Sequence, residues 1–307
     1  MQNYDYEVLV VGGGPAGLSA ALYLARYKRS VGLFDAGQGR SSWHQTNHNF
    51  LGFPHGIKAR ELRELGRQQL AEYDHVSLID AQVEEMERRG NLLAARGAGG
   101  EWTGRAAILC TGVVDYWPQF PGWEEYVGRS MFWCITCDGY SSRGMKLVVV
   151  GNTDDAAVTT LQLTRFTTDI TVITNQPECH ISEEEQRRLA EARIPLIHDS
   201  IKTAQGHAGQ FESITTSGGR TVPLDRLFNQ QGARPQVKLA RDLGVALDEN
   251  GYIAVDEEQK TNVPGVYAAG DVDGRHSHQI TTAVHEGGQA ASAANYYLYP
   301  PELKHEA

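Results

Sequence analysis

The stretch "YEVLVVGGGPAGLSAALYLARYKRSVGLFDA", beginning at Tyr6, constrains the fold more than any other part of the chain. A short apolar run, a glycine cluster, a helical stretch and a second apolar run ending at Asp35 read as strand, turn, helix and strand. That is the opening of a nucleotide-binding βαβ unit. Gly12, Gly14 and Gly17 fill G-x-G-x-x-G, with Pro15 and Ala16 inside the motif. Gly12 permits the tight turn, Gly14 lets backbone approach a pyrophosphate, and Gly17 allows helix and sheet to pack closely. The helix N-terminus then faces the phosphates, and Asp35 suits ribose hydroxyls. A ligand-free glycine turn is the alternative, and it leaves the acid at the next strand end without a purpose.

A second strand-turn-helix-strand pattern, "KLVVVGNTDDAAVTTLQLTRFTTDITVIT", starts at Lys146. Near the end, "VPGVYAAGDVDG" and "TTAVHEGGQAASAANYYL" do not extend this second unit and return to complete the first. The expected fold is α/β, with two Rossmann-like three-layer nucleotide-binding domains. The first domain is discontinuous, at about 1–114 and 240–307, with 115–239 inserted. A chain of 307 residues can give each domain its own core. The formal charge of -10 opposes nonspecific attraction to nucleic acid or an anionic membrane. No basic head and cleavage site precede the first strand, so a cytoplasmic protein with neither partner is expected.

Four cysteines, Cys110, Cys134, Cys137 and Cys179, are too few and too uneven for a disulfide framework. Only Cys134 and Cys137, in "FWCITCDGY", form a close pair. Such a pair is a redox disulfide, half of a zinc site, or two inert thiols. Zinc needs a second ligand pair, and Cys179 and His180 are adjacent rather than spaced, so no metal site is expected. Thiol–disulfide exchange needs a thiolate and a neighbour to handle its proton. Asp138 stands next to Cys137 for that purpose, or else serves as a cap or turn residue before Gly139.

With the glycine motif, Thr111 and Gly112 of "AAILCTG", Gly270 and Asp271 of "VYAAGD", and the cysteine pair followed by Asp138, the whole chain resembles low-molecular-weight thioredoxin reductase. The resemblance implies an FAD-dependent disulfide oxidoreductase, a homodimer, FAD in the first domain and the disulfide in the inserted one. It implies that Asp271 binds the ribityl-phosphate region. "NHNFLGFP" resembles the family's flavin-side loop, placing Asn49 near the ring, and Gln279 matches a residue near the flavin pyrimidine edge. It further implies that Cys137 faces the flavin, that Cys134 attacks a thioredoxin-like disulfide, and that Asp138 is the acid/base. His278 and His285 lie near the flavin by the same resemblance, as proton carriers or as structural groups.

The second unit departs from the family pattern. A member using NADPH should repeat G-x-G-x-x-G/A and follow its second strand with arginines; this chain has Gly151, Asn152, Thr153, Asp154, Asp155 and Ala156, then "TNQPECH". Thr153 crowds the pyrophosphate approach, and Asp154 and Asp155 oppose phosphate; helix capping is the alternative reading of the two acids and is compatible with a lost site. Asn175 and Gln176 cannot neutralise a 2′-phosphate. NADPH is therefore not the expected donor. Relatives without it include ferredoxin-linked thioredoxin reductases, a diflavin type with a second FAD in the NADPH position, and dithiol oxidases that pass electrons to oxygen; a flavin-binding redox sensor is the non-enzymatic reading. Ferredoxin would need a basic dock, with Arg26 to Arg29 and Lys58, Arg60, Arg63 and Arg67 as candidates. In some relatives a C-terminal aromatic covers the flavin, which makes Tyr296, Tyr297 and Tyr299 candidates for that role, with core packing as the alternative.

Overall fold

In the computed structural model, which describes residues 4–274 and 277–304, the strand Tyr6–Val11 sends alternate side chains into two different cores. Val8 and Val10 join one cluster, with the helices Pro15–Arg26 and Ile280–Leu298. Leu9 and Val11 join another, with Met86, Leu93 and Val266. A strand buried on both faces, without polar alternation, belongs at the centre of a covered parallel sheet. The strand order is Val76–Ile79, Val31–Phe34, Tyr6–Val11, Gly100–Leu109, Leu92–Gly97 and Glu85–Arg89, with Val266–Ala268 also pairing Gly100–Leu109. All of these pairings are parallel except those of Leu92–Gly97 with its two neighbours.

The two long helices of this first unit touch through small residues. A Cβ on Gly287 would lie 2.2 Å from the Ala16 carbonyl oxygen, so no side chain fits at the crossing. Ser19 Oγ donates to the Val284 carbonyl at 2.7 Å, locking the register. This is why "EGGQAASAAN", far along the chain, completes the first unit and not the second.

The second unit has its own five-stranded parallel sheet, ordered Met131–Phe132, Arg226–Asn229, Leu147–Val150, Ile170–Ile173 and Leu196–Ile197. Again alternate residues diverge: Val148 and Val150 enter one cluster, Leu147 and Val149 another. Helices Asp154–Leu163 and Glu183–Glu191 and an antiparallel sheet of Ile201–His207, Gln210–Thr216 and Thr221–Pro223 complete it.

The units are Met1–Ser42, Ala59–Val114 and Arg234–Ala307, against Trp43–Lys58 and Asp115–Ala233. The sequence groups residues 43–58 with the first unit. In the fold Trp43 packs on Trp117 and Trp123, at 6.3 and 6.1 Å between ring centroids, and the ribbon of Thr46–Asn47 with Ile57–Lys58 closes the segment. Among the described residues no helix is long and apolar enough to cross a membrane.

The C-terminal tyrosines lie away from the nucleotide turn of their own chain. Arg29 stacks over Tyr299 at 4.8 Å, and Tyr297 lies 3.0 Å from where a Cβ on Gly265 would be. Arg29 and Gly265 precede the strands Val31–Phe34 and Val266–Ala268, whereas the glycine turn follows Tyr6–Val11. In these parallel strands the two positions are opposite ends of the sheet. The flavin-covering role for which Tyr297 and Tyr299 were candidates is therefore not met within one chain, and both rings are partly exposed.

Candidate active site

In the first unit the chain leaves Tyr6–Val11 through Gly12 at φ +118°, a conformation that favours glycine. A Cβ there would lie 2.1 Å from the Cys110 carbonyl oxygen, and one on Gly17 would lie 1.8 Å from Gly12's own carbonyl. Gly14, by contrast, has only Ser41 Oγ, 3.8 Å away, near its missing Cβ. It caps the helix Pro15–Arg26 without any side-chain hydrogen bond. The turn is thus tight behind and open in front, with uncapped N–H groups facing the opening, as a pyrophosphate requires. Replacing Gly12 with alanine is expected to weaken FAD retention roughly tenfold or more, about 1.4 kcal/mol; flavin released per chain after gel filtration measures it.

Gly12, Gly14, Pro15, Ala16, Gly17, Asp35, Thr111, Gly112, Gly270, Asp271 and Gln279 all belong to the first unit. Asp35 is buried, and its Oδ1 accepts from the Gly37 N–H at 2.9 Å. Its Oδ2 accepts from Arg63 at 2.6 Å and Arg67 at 3.4 Å. Arg63 Nε is a buried donor with no partner among the described residues, a vacancy that a polar ligand group would satisfy. Thr111 Oγ1 donates to the Gln236 carbonyl, and the Gly270 N–H donates to buried Glu286 at 2.8 Å. Asp271 pairs with Arg40 at 2.7 Å, and the same Arg40 nitrogen lies 3.1 Å from His278 Nδ1. Gln279 forms a reciprocal capping box with Thr282 at the head of Ile280–Leu298. His285 is exposed. Arg40 and Glu286 escape sequence reading, and Arg63 is read there only as a surface cation, because each meets its partner across a long stretch of chain. An uncapped phosphate turn, a ribose-suited acid and an orphaned donor beside it fit FAD.

Cys134 and Cys137 are joined as a disulfide with Cα atoms 5.3 Å apart. Cys134 is the N-cap of the single turn Ile135–Asp138, and its Sγ accepts from the Cys137 N–H at 3.1 Å. A sulfur at a helix N-terminus is favoured as thiolate by the dipole and that N–H. Asn49 belongs to this unit, with its Nδ2 3.9 Å from Cys137 Sγ. Trp133, next to Cys134, packs edge-on to Trp117 at 5.5 Å, and its carbonyl accepts from Gln230, so the strand entering the disulfide is fixed. Asp138 is only 9% exposed. Burial pushes its carboxyl up to about 7, with Arg226 opposing the rise. A carboxyl beside a disulfide that titrates near neutrality can hold a proton and give it up. Cys110 is the contrasting case, a buried thiol raised by burial and by Asp273 and Glu286, hence unreactive.

The chain matches the family described as pyridine nucleotide-disulphide oxidoreductase over residues 6–287. It belongs to that family. It is 31% identical to the thioredoxin reductase of Listeria innocua over 97% of this chain and 95% of the relative. The crystal structure of thioredoxin reductase from Streptococcus pyogenes superposes with a TM-score of 0.88 at 28% identity, covering 97% of this chain and 99% of that one. The atypical thioredoxin reductase TRi of Desulfovibrio vulgaris is 31% identical, with a TM-score of 0.54 and coverage of 95% and 98%. The chain is thus an FAD-dependent disulfide oxidoreductase of thioredoxin reductase type.

The second glycine turn is bonded to the loop that follows the second strand. Leu147–Val150 leads through Gly151, Asn152 and Thr153 into the helix Asp154–Leu163. Asn152 is buried; its Oδ1 accepts from the His180 N–H at 3.0 Å, while its Nδ2 has no partner among the described residues. Asp154 Oδ1 accepts from the Ser182 N–H at 2.7 Å. These two bonds clasp the segment after the second strand onto the turn. Asn175, where the family pattern places its first basic residue, donates to Gln231 and accepts from the Ile201 N–H. Three of the basic residues proposed for a ferredoxin dock are paired with acids: Arg29 with Glu7, and Arg63 and Arg67 with Asp35.

Proposed function

We propose that this enzyme reduces a thioredoxin-like disulfide through Cys134 and Cys137, works as a homodimer, and does not take its electrons from NADPH. The observation that carries the last point is the clasp formed by Asn152 and Asp154 on the backbone at His180 and Ser182. A pyridine nucleotide needs the turn between strand and helix for its pyrophosphate and the following strand's end for its ribose. Here the carboxylate of Asp154 stands at that turn, with Asp155 beside it, and the two loops are tied to each other. Thr153 adds a branched side chain where the family has the glycine that lets a pyrophosphate in. The residues present do not fit NADPH, and no step is assigned to it. A ferredoxin is the donor class this reading favours, since a second FAD would bring a pyrophosphate to the same turn. With Arg29, Arg63 and Arg67 already neutralised, a ferredoxin dock must rest on other cations.

FAD, when bound, supplies the electron pair that converts Cys134–Cys137 to the dithiol. The chain's own residues carry the rest. The Cys134 thiolate attacks one sulfur of the partner disulfide, that bond breaks, and the leaving sulfur takes the proton held on Asp138. The Cys137 thiol passes its proton to Asp138 and its sulfur closes on Cys134. The second partner sulfur leaves and is protonated from Asp138. Two electrons and two protons have then moved from the enzyme dithiol to the partner, and the Cys134–Cys137 bond is restored.

The test is anaerobic. On adding NADPH, the absorbance of the bound flavin should stay unchanged, while reduced ferredoxin or dithionite bleaches it. Prompt bleaching by NADPH would overturn the donor assignment and leave the disulfide chemistry intact; more than one flavin per chain would show that a dinucleotide enters the second site and would overturn the reading of its turn.

A further inference from the structure

Arg226 begins the strand Arg226–Asn229, which is hydrogen-bonded on one side to Met131–Phe132, the strand that runs into Cys134. Its guanidinium lies over the Phe132 ring at 5.1 Å. Its Nη1 donates to Ser142 Oγ at 3.0 Å, and that fully buried hydroxyl donates to the Asp138 carbonyl oxygen at 2.7 Å. Arg226 makes no ion pair within 4.0 Å among the described residues. A half-buried guanidinium held by a ring face and one hydroxyl, with no carboxylate in contact, is unusual unless its charge acts at a distance.

The groups around it identify that target. The charges bearing on Arg226 are those of Asp138 and Asp225, and Asp225 Oδ2 already accepts the Lys146 N–H at 2.7 Å. On Asp138's own turn stand Cys134 and Cys137. From the following turn come Tyr140, Ser142 and Arg143, and Arg143 stacks on Tyr140 at 3.5 Å. The strand Met131–Phe132 brings no charge. Among the described residues, Arg226 is the cation whose charge opposes the effect of burial on the acid.

The geometry points to Arg226 as a positioning residue for Asp138, anchoring its turn through Ser142 and governing when its carboxyl holds a proton during exchange. This rests on the role proposed above for Asp138. A cation near a buried carboxyl favours the ionised form and offsets part of the burial effect. Without it the acid stays protonated to higher pH.

The experiment uses the FAD-loaded enzyme, reduced with dithiothreitol and desalted, and follows single-turnover exchange with bis(2-hydroxyethyl) disulfide from acid to alkaline pH. That probe's leaving thiol is weakly acidic and needs a proton, so the alkaline limb of the profile reports Asp138. In Arg226→Met the limb should move up by roughly one pH unit or more, and Arg226→Lys should bring it back toward the wild-type position. Asp138→Asn should lack the limb, and adding Arg226→Met to Asp138→Asn should move nothing. If the methionine variant does not fold, Arg226→Gln keeps a donor for Ser142 without the charge and should show the same shift. A limb that stays in place, or a rate lowered equally at every pH, would overturn the assignment of Arg226. A limb that survives in Asp138→Asn would instead overturn the role of Asp138.

Discussion

Changing Cys137 to serine should stop turnover with a thioredoxin-like disulfide and trap the enzyme on its partner. Cys134 can still attack, because its sulfur sits at the N-cap of Ile135–Asp138, but no second thiol remains to close on it. The mixed disulfide should therefore accumulate as a covalent species, visible on a non-reducing gel or by intact mass. Cys134→Ser should be equally inactive and form no such species. Either loss should reach roughly a thousandfold, about 4 kcal/mol of barrier, since the exchange has no alternative nucleophile. If Cys134→Ser traps the partner and Cys137→Ser does not, the two cysteines have the opposite roles. If both retain turnover, the disulfide is not on the electron path.

Much of this was legible in the chain where chemistry depends on local pattern. The run from Tyr6 to Asp35 announces its turn because the turn imposes backbone conditions: Gly12 at φ +118° and the contact of Gly17 with Gly12's carbonyl admit no Cβ. The small-residue helix after Gln279 was readable as belonging to the first unit, since "VYAAGD" before it matches a flavoprotein turn. Other features came only with the fold. Arg226 reaches the turn carrying Asp138 because its strand lies between Met131–Phe132 and Leu147–Val150, a strand order that no local spacing encodes. Trp43 and the ribbon around Asn49 join the second unit through ring packing between residues far apart in sequence. Thr153 and Asp154 looked wrong for a nucleotide in the sequence; that Asp154 and Asn152 bond to the backbone of the facing loop required coordinates. The tyrosine tail stayed open between two roles because aromatic residues before a proline stop carry no information about which end of a sheet they reach.

Both glycine turns start from the same strand-to-helix geometry, and they differ in what stands in front of the helix N-terminus. At Gly14 there is open space and no capping side chain. At Thr153 there are two carboxylates and a loop bonded across. A helix N-terminus carries partial positive charge and unpaired N–H groups that an anion or a capping acid can satisfy. Neither helix has a side-chain cap; the second turn differs in the two carboxylates of its first helical turn and in the bond from the Ser182 N–H to Asp154.

Asp138 carries the second large effect, on stability as well as rate. Its carboxyl titrates near about 7 in the folded protein because burial disfavours the charge, against about 3.9 in an unfolded chain. The sign follows from which state holds the proton. Between those values the unfolded chain is ionised and the folded one is not, so unfolding releases a proton and wild-type stability falls as pH rises, by about 1.4 kcal/mol per unit. Above about 7 both states are ionised and the loss levels off near 4 kcal/mol at most. Asparagine has the same shape and never ionises. Asp138→Asn should thus match the wild type near pH 4 and become more stable as pH rises, with a melting temperature about 5 °C or more higher in mild alkali. The same substitution should cost most of the exchange rate, since the leaving thiol loses its proton source. Melting curves of both proteins with FAD bound, at acid and alkaline pH, decide it: a difference that does not change with pH would mean that the carboxyl ionises normally. A buried acid beside the disulfide would then be a turn residue whose burial needs another explanation. A difference that opens above pH 4 and levels off past neutrality would mean that the fold tolerates an unfavourable charge at the one position where the chemistry requires a proton to come and go.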